Sequence, residues 1–312
     1  MKSTGTYIAL LGALLVLSLL PLVIDSGKHK YLYDVLFTLN IMILLSTSWN
    51  ILGGFAGQVS FGHAGFVGMG AYAVALLHHH LQLSPWLVMP LSGIAAVMGA
   101  MLIGSIALNL RGPFFALSTL ALAEVTKLIV EGWRGFTMGT QGIVIAQTGL
   151  FGLKPTGGLY FIVTLWAAWL ALMVSLLIKD SRYNYYFLAV GENEDAAMAV
   201  GINARKYKLY ALLVSAFFAG LAGGLIAAHT GFVDPESGFD MVRTVEPIFI
   251  TIVGGMGTVF GPLIGAVLLV PVGEYLRTEF TKAHLLFYGI LLVIFARFMP
   301  HGIMGFFKRT RK

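Results

Sequence analysis

The feature that most constrains this chain is a train of apolar runs, at residues 7–24, 32–52, 60–77, 86–108, 114–130, 159–178, 209–228, 245–253, 261–272 and 285–299. A helix that crosses a bilayer needs about 20 such residues. The first seven runs meet that length, whereas the eighth and ninth are too short to cross unaided. The apolar residues are contiguous and do not alternate, which excludes a transmembrane barrel. Hydrophobic residues make up 58% of the chain and charged residues 11%. A soluble domain carries about 25% charged residues, so this chain has too few to cover a soluble surface. The expected fold is an all-α polytopic membrane protein of about ten transmembrane helices, some broken or half-length. Residues 1–312 form a single transmembrane domain.

Ten crossings place both termini on one side. Twelve of the twenty Lys and Arg then fall there, among them Arg111, Arg182, Lys206 and the basic tail at 300–312. That bias predicts cytoplasmic termini, with Trp86 and Trp133 at the outer interface. The net charge of +6 belongs to these boundaries and does not point to nucleic acid. There are no cysteines, so thiolate metal sites and disulfides are excluded. Lys2 followed by the run at 7–24 has the charge and hydropathy of a signal peptide. With no small-x-small cleavage site after it, the run reads as an uncleaved first helix. Phosphate-loop, zincin and nucleophile-elbow motifs are all missing. No metal or other cofactor is expected on this chain.

The one long polar interval, residues 182–208, has internal order. Gly191 is placed to break what precedes it. Asn193 can cap a short helix from Glu194 to Val200, Gly201 suits a left-handed residue that ends it, and Asn203 can cap the next helix. Ala196, Ala197 and Ala199 leave this short helix a face with little side-chain bulk, which a partner could approach closely. A plain solvated connector is the alternative.

Two glycine-rich stretches interrupt the apolar pattern, at 53–65 and 254–265. Both start with Gly-Gly and pass through Phe-Gly. Backbone freed from a helix in lipid must be satisfied inside the protein or beside a water-filled cavity, so paired breaks point to a transport path. Gly54, Gly57, Ser60, Gly62 and His63 in the first, and Gly254, Gly255, Gly257 and Gly261 in the second, are the hinge candidates. Close helix packing is the competing role, and the Gly220/Gly224 spacing fits it. Glu124 and Lys127, three residues apart on one face, form a candidate intramembrane charge pair. The run His78-His79-His80 has no carboxylate or thiolate to support a metal and reads as interfacial.

Asp195-Ala196-Ala197-x-x-x-Gly201 resembles the EAA-x-x-x-G coupling loop of ABC-importer permeases, with Asp in place of Glu and without the Ile-x-x-Pro-like ending. The longer run 191–203, GENEDAAMAVGIN, is similar to the loop of the branched-chain amino-acid permeases of the LivM/LivH type, closest to LivM. The first glycine stretch resembles the same family through Gly54, Gly57, Ser60, Gly62, His63, Ala64 and Phe66. So do LRGPFFALSTLALAEV (110–125) and GWRGFTMGTQGI (132–143). Together these cover roughly residues 40–306. The resemblance implies a subunit of an importer in the bacterial inner membrane, moving leucine, isoleucine and valine. It also implies the partners: a second, LivH-type permease subunit, two ATPase subunits carrying ATP-Mg, an extracytoplasmic amino-acid binding protein, and surrounding lipid. Gly191, Glu192, Asn193, Glu194, Asp195, Ala196, Ala197 and Gly201 would then form the ATPase-coupling loop. The residues themselves leave three alternatives open: a permease for urea, amides or a sugar, an ion-driven transporter working through Glu124, and a passive channel.

Overall fold

The computed structural model describes residues 4–146, 156–279, 289 and 302–309. The expected span at 285–299 therefore lies, but for Gly289, outside the described residues. The chain runs α1 (Thr4–Ser18), α2 (Leu20–Val23), α3 (Lys30–Trp49), a π-helical turn (Asn50–Phe55), α4 (His63–Leu81), α5 (Pro85–Ala107), α6 (Pro113–Gly132) and α7 (Arg134–Thr137). After a single 3-10 turn come β1 (Ile143–Val144), α8 (Gly157–Asp180), α9 (Arg182–Glu192), α10 (Glu194–Ala199), α11 (Ala204–Thr230) and β2 (Phe232–Val233). Next are α12 (Pro235–Gly238), α13 (Val242–Gly254), α14 (Gly261–Glu279) and a last helix, Gly302–Arg309. Among the described residues five helices are long and apolar enough to cross a membrane, at Lys30–Phe55, Pro85–Ala107, Pro113–Gly132, Gly157–Asp180 and Ala204–Thr230. Two strands of two residues, Ile143 opposite Val233 and Val144 opposite Phe232, are an addition to the all-helical expectation.

The described chain divides into two compact units, residues 1–50, 156–181 and 247–312 in one, and 51–155 with 182–246 in the other. In the first, α3 lies along α8. Asn40 Nδ2 donates to Thr164 Oγ1 at 3.3 Å, and a Cβ on Gly157 would stand 2.9 Å from Tyr33 Cβ. Tyr7 at one end of α1 donates its hydroxyl to Asp180 at the end of α8. α13 and α14 meet backbone to backbone. Any Cβ on Gly254 would fall on Gly261 O, and one on Gly265 would fall on Ile250 O.

In the second unit α4, α5 and α11 form the core. A Cβ on Gly223 would fall on Val67 O of α4, whereas Gly224 faces Ser92 of α5, whose Oγ would lie 2.5 Å from its Cβ. The packing expected of Gly220 and Gly224 is thus present, and Gly223 adds a second close face. Lipid supplies no hydrophobic drive between helices, so such contacts must work through dispersion at short range. Trp133 is exposed, as an interface residue would be, but Trp86 is buried among core residues. Its indole, at the start of α5, therefore packs within the protein.

Because the neighbours of Gly223 are backbone atoms, they cannot move aside cheaply. Gly223→Ala should lower stability by about 1–3 kcal/mol, the range for overpacking. Gly12→Ala, inside α1 with nothing within 4 Å of its Cβ, should hold stability or raise it by up to about 1 kcal/mol. Thermal unfolding of the detergent-solubilised variants checks the pair.

Candidate functional site

The polar interval folds as its spacing predicts at three of its four signals. Asn193 Oδ1 accepts from Ala196 N at 3.0 Å and caps α10. Gly201 adopts φ +86°, a conformation costly for a residue with a Cβ, and Asn203 Oδ1 accepts from Lys206 N at 3.0 Å to cap α11. The fourth differs. Gly191 does not break a helix, because α9 runs through it to Glu192. Its missing side chain serves a close approach: Ala56 C would lie 3.2 Å from its Cβ, and a Cβ on Gly57 would lie 2.8 Å from Gly191 Cα.

α10 does not present all its alanines outward. Ala196 and Ala199 are exposed, but Ala197 is buried against Val190 and Ala204. The accessible face is Asp195, Ala196, Met198, Ala199 and Val200. Glu194 is an anchor on the other side. It accepts from Lys208 Nζ and lies 3.6 Å from Arg111 Nε, while Arg111 Nη1 stands 2.9 Å from Asp195 Oδ1. Lys208 is only 1% exposed, so its charge depends on Glu194. α10 is thereby tied both to the turn between α5 and α6 and to the start of α11. The sequence reading missed Arg111 and Lys208 as members of this cluster.

The first glycine break is shorter than expected. Gly54 lies inside the π-helical turn that extends α3, and the extended segment is residues 56–62. Gly57 takes φ +65° there. Side chains from distant helices satisfy this segment. Phe61 N donates to Thr119 Oγ1 at 3.2 Å, and Ala64 N to Thr244 Oγ1 at 2.7 Å, while Gly62 N bonds locally to Ser60 Oγ at 3.1 Å. His63 Nε2 pairs with Ser215 Oγ at 2.7 Å, near the middle of α11, and so does not bond the unwound backbone. An apolar cavity of about 540 Å³ lies beside the break, between Gly57–Phe61 and the start of α6.

In the other unit the second break spans 255–260, between α13 and α14. Gly255 and Gly257 take φ +124° and +72°. Asn50 holds this loop with both ends of its amide: Nδ2 donates to Thr258 O at 2.8 Å and Oδ1 accepts from Gly257 N at 2.9 Å. Gly254 and Gly261 sit at the helix ends, in mutual backbone contact.

The remaining expected sites differ more. Glu124 and Lys127 form no ion pair within 4.0 Å; the ion pairs among the described residues all belong to the Arg111–Glu194–Lys208 cluster. Glu124 lies at the protein surface of α6 and Lys127 is half-buried. His78 is structural, with Nδ1 on Leu83 O at 2.8 Å and Nε2 accepting from Ala146 N at 3.1 Å. Among the described residues no group of His, Cys, Asp and Glu could hold a metal.

Residues 31–296 match the family described as branched-chain amino acid transport system, permease component. The chain is 32% identical to the high-affinity branched-chain amino acid transport system permease protein LivM of Escherichia coli (strain K12), over 94% of this chain and 73% of that protein. It is 24% identical to the probable branched-chain amino acid transport permease protein LivH of Methanocaldococcus jannaschii, over 90% of this chain and 94% of that one. A ribose import permease protein, RbsC of Haemophilus influenzae, is 28% identical over 64% of this chain and 62% of its own length. With a match that runs from α3 past α14, the chain belongs to the family of branched-chain amino acid transport system permease components.

Proposed function

We propose that this chain is a multi-pass permease subunit of an ATP-driven importer of leucine, isoleucine and valine, in a bacterial cytoplasmic membrane. The observation that carries the reading is α10: a short helix capped by Asn193, ended at Gly201, and clamped by ion pairs at its base, inside a chain of this family. A helix fixed in this way passes on a displacement that a disordered loop would absorb. An ATPase subunit docking on the exposed face of Asp195, Ala196, Met198 and Ala199 would move α11 through Lys208 and the α5–α6 turn through Arg111. ATP and magnesium belong to two such ATPase subunits. A second, LivH-type permease completes the pathway, and an extracytoplasmic binding protein delivers substrate. The termini and α10 then lie on the cytoplasmic side.

In this reading the two breaks are where the pathway bends. Gly57 bears on Gly191 of α9, so the first break touches the element that leads into α10. The similarity to a ribose permease makes a sugar the second substrate class to test.

The deciding experiment is reconstitution of the complete transporter in vesicles with its binding protein. ATP-dependent uptake of leucine, with none of ribose, is the expected outcome; uptake of ribose alone, or leucine flux without ATP, would replace the reading. Ala196→Trp, on the exposed face, should keep the thermal midpoint but lose co-purification of the ATPases. Retention of both assembly and uptake would show the face to be solvent only.

The clamp has its own signature. Glu194→Gln strands the buried Lys208 ammonium and should cost about 3–5 kcal/mol, the usual result of removing one partner of a buried pair. Glu194→Gln with Lys208→Met removes both charges and should recover most of that loss. Unfolding of the two variants in detergent measures it. Loss of the exposed Arg111–Asp195 pair should change stability by no more than about 1 kcal/mol.

A further inference from the structure

The end of α11 opposite its Asn203 cap holds a feature the coupling scheme does not use. After Thr230 the chain does not simply leave the bundle. It forms β2 and α12, then comes back to place Thr244 Oγ1 on Ala64 N, in the first turn of α4. The neighbouring residue, His63, bonds Ser215, close to the middle of α11. Residues 231–244 therefore descend from the end of α11 to about the mid-depth of a membrane-spanning helix. Irregular backbone at that depth is tolerated only where protein buries it or a water-filled cavity adjoins it.

Here a cavity adjoins it, with a volume of about 350 Å³. That falls at the small end of the roughly 300–1,000 Å³ typical of ligand pockets. Its wall is apolar on the helices, through Val67 and Ala71 of α4 and Ile226 and Ala227 of α11. On the descending segment it is charged, through Asp234 and Arg243.

Both side chains keep hydrogen-bonding atoms that the fold does not engage. Arg243 donates Nε to Ser237 O at 3.0 Å, and no hydrogen bond from its two terminal nitrogens occurs among the described residues. Asp234 Oδ1 caps α12, accepting from Ser237 N at 3.3 Å and from Ser237 Oγ, which leaves Oδ2 open. The two side chains make no ion pair with each other within 4.0 Å, unlike the cluster around Lys208. Asp240 and Glu246 act on Arg243 electrostatically as well. A separated carboxylate and guanidinium beside an apolar wall match a zwitterion with an aliphatic side chain. The guanidinium is suited to bind a carboxylate through two parallel hydrogen bonds, and the open carboxylate oxygen to accept from an ammonium.

We propose that this cleft is a binding site for a free aliphatic amino acid within the permease itself. Arg243 takes the α-carboxylate, Asp234 the α-ammonium, and Val67, Ala71 and Ile226 the side chain. The proposal rests on the reading of the chain as an amino-acid permease and gives that reading a location.

The test uses the complete transporter in lipid nanodiscs and a diazirine analogue of leucine as photolabel, located by peptide mass spectrometry. Label is expected on residues 67–71 and 226–233. Leucine should compete for it, whereas 3-methylbutylamine, which lacks the carboxylate, should compete about thirty-fold less well, the loss expected when one partner of a charge pair is removed. Arg243→Gln and Asp234→Asn should each reduce labelling by a similar factor, and Arg243→Lys, which keeps the charge but loses the two parallel bonds, should fall in between. If Arg243→Gln fails to fold, Arg243→Lys and Asp234→Asn still decide. Label elsewhere only, or labelling at the cleft indifferent to these changes, overturns the site. ATP-driven leucine uptake by the unaltered complex is measured in parallel. Uptake without label at the cleft removes the site and leaves the permease, whereas absence of uptake removes both.

Discussion

Backbone amides inside a bilayer have no water to turn to, and the cost of leaving one unpaired governs how this chain can break its helices. Each interruption is held by a polar side chain from another part of the chain. Thr119 and Thr244 serve the first break, and Asn50 serves the second with both ends of its amide. The glycines make the turns possible through positive φ at Gly57, Gly255 and Gly257. They do not by themselves make them stable. A threonine hydroxyl or an asparagine amide in an apolar run is thus the counterpart of a glycine far away in sequence.

This division explains which parts were legible from the residues alone. Caps act over three residues, so Asn193, Gly201 and Asn203 could be placed correctly from spacing. Apolar runs located the five long helices at Lys30–Phe55, Pro85–Ala107, Pro113–Gly132, Gly157–Asp180 and Ala204–Thr230, because in lipid hydropathy and span coincide, whereas the run at 7–24 is divided between α1 and α2. The partners of the breaks act over separations of 58, 180 and 207 residues, which no local pattern encodes. Gly53 and Gly54 looked like the start of a break, yet the helix continues through them as a π turn to Phe55. The orientation of Ala197 was equally out of reach. A six-residue helix has too little periodicity to show which alanine meets Val190 and Ala204.

The charged residues divide along the same line. Glu124 and Lys127 invited pairing because they are near in sequence, but the pairs that form join Arg111 to residues 194–195 and Lys208 to Glu194. Burying Lys208 gains little net stability, since the desolvation of both ions offsets their attraction. Its consequence is positional. With the ammonium confined, α10 has one seat on α11, and a slip would leave a buried charge unpaired. Arg243, by contrast, sits in a stretch that reads in sequence as an ordinary polar loop, and only the return of residues 231–244 toward α4 places it beside a cavity.

One helix connects these features. α11 holds Lys208 near one end, carries Gly220, Gly223 and Gly224 in its middle, and lines the cleft with Ile226 and Ala227 near the other end. At Gly223 its backbone lies directly on that of Val67 of α4, while Gly220 and Gly224 sit close against Ala96 and Ser92 of α5. Close-packed interiors transmit strain because they have few voids to absorb it. In the proposed coupling, a displacement applied at Lys208 would be passed along α11 to these close contacts. The wall opposite Ile226 and Ala227 is formed by Val67 and Ala71 of α4, and Val67 is also the residue that meets Gly223. A cation buried near one end and an apolar cleft wall near the other thus belong to one continuous, closely packed helix.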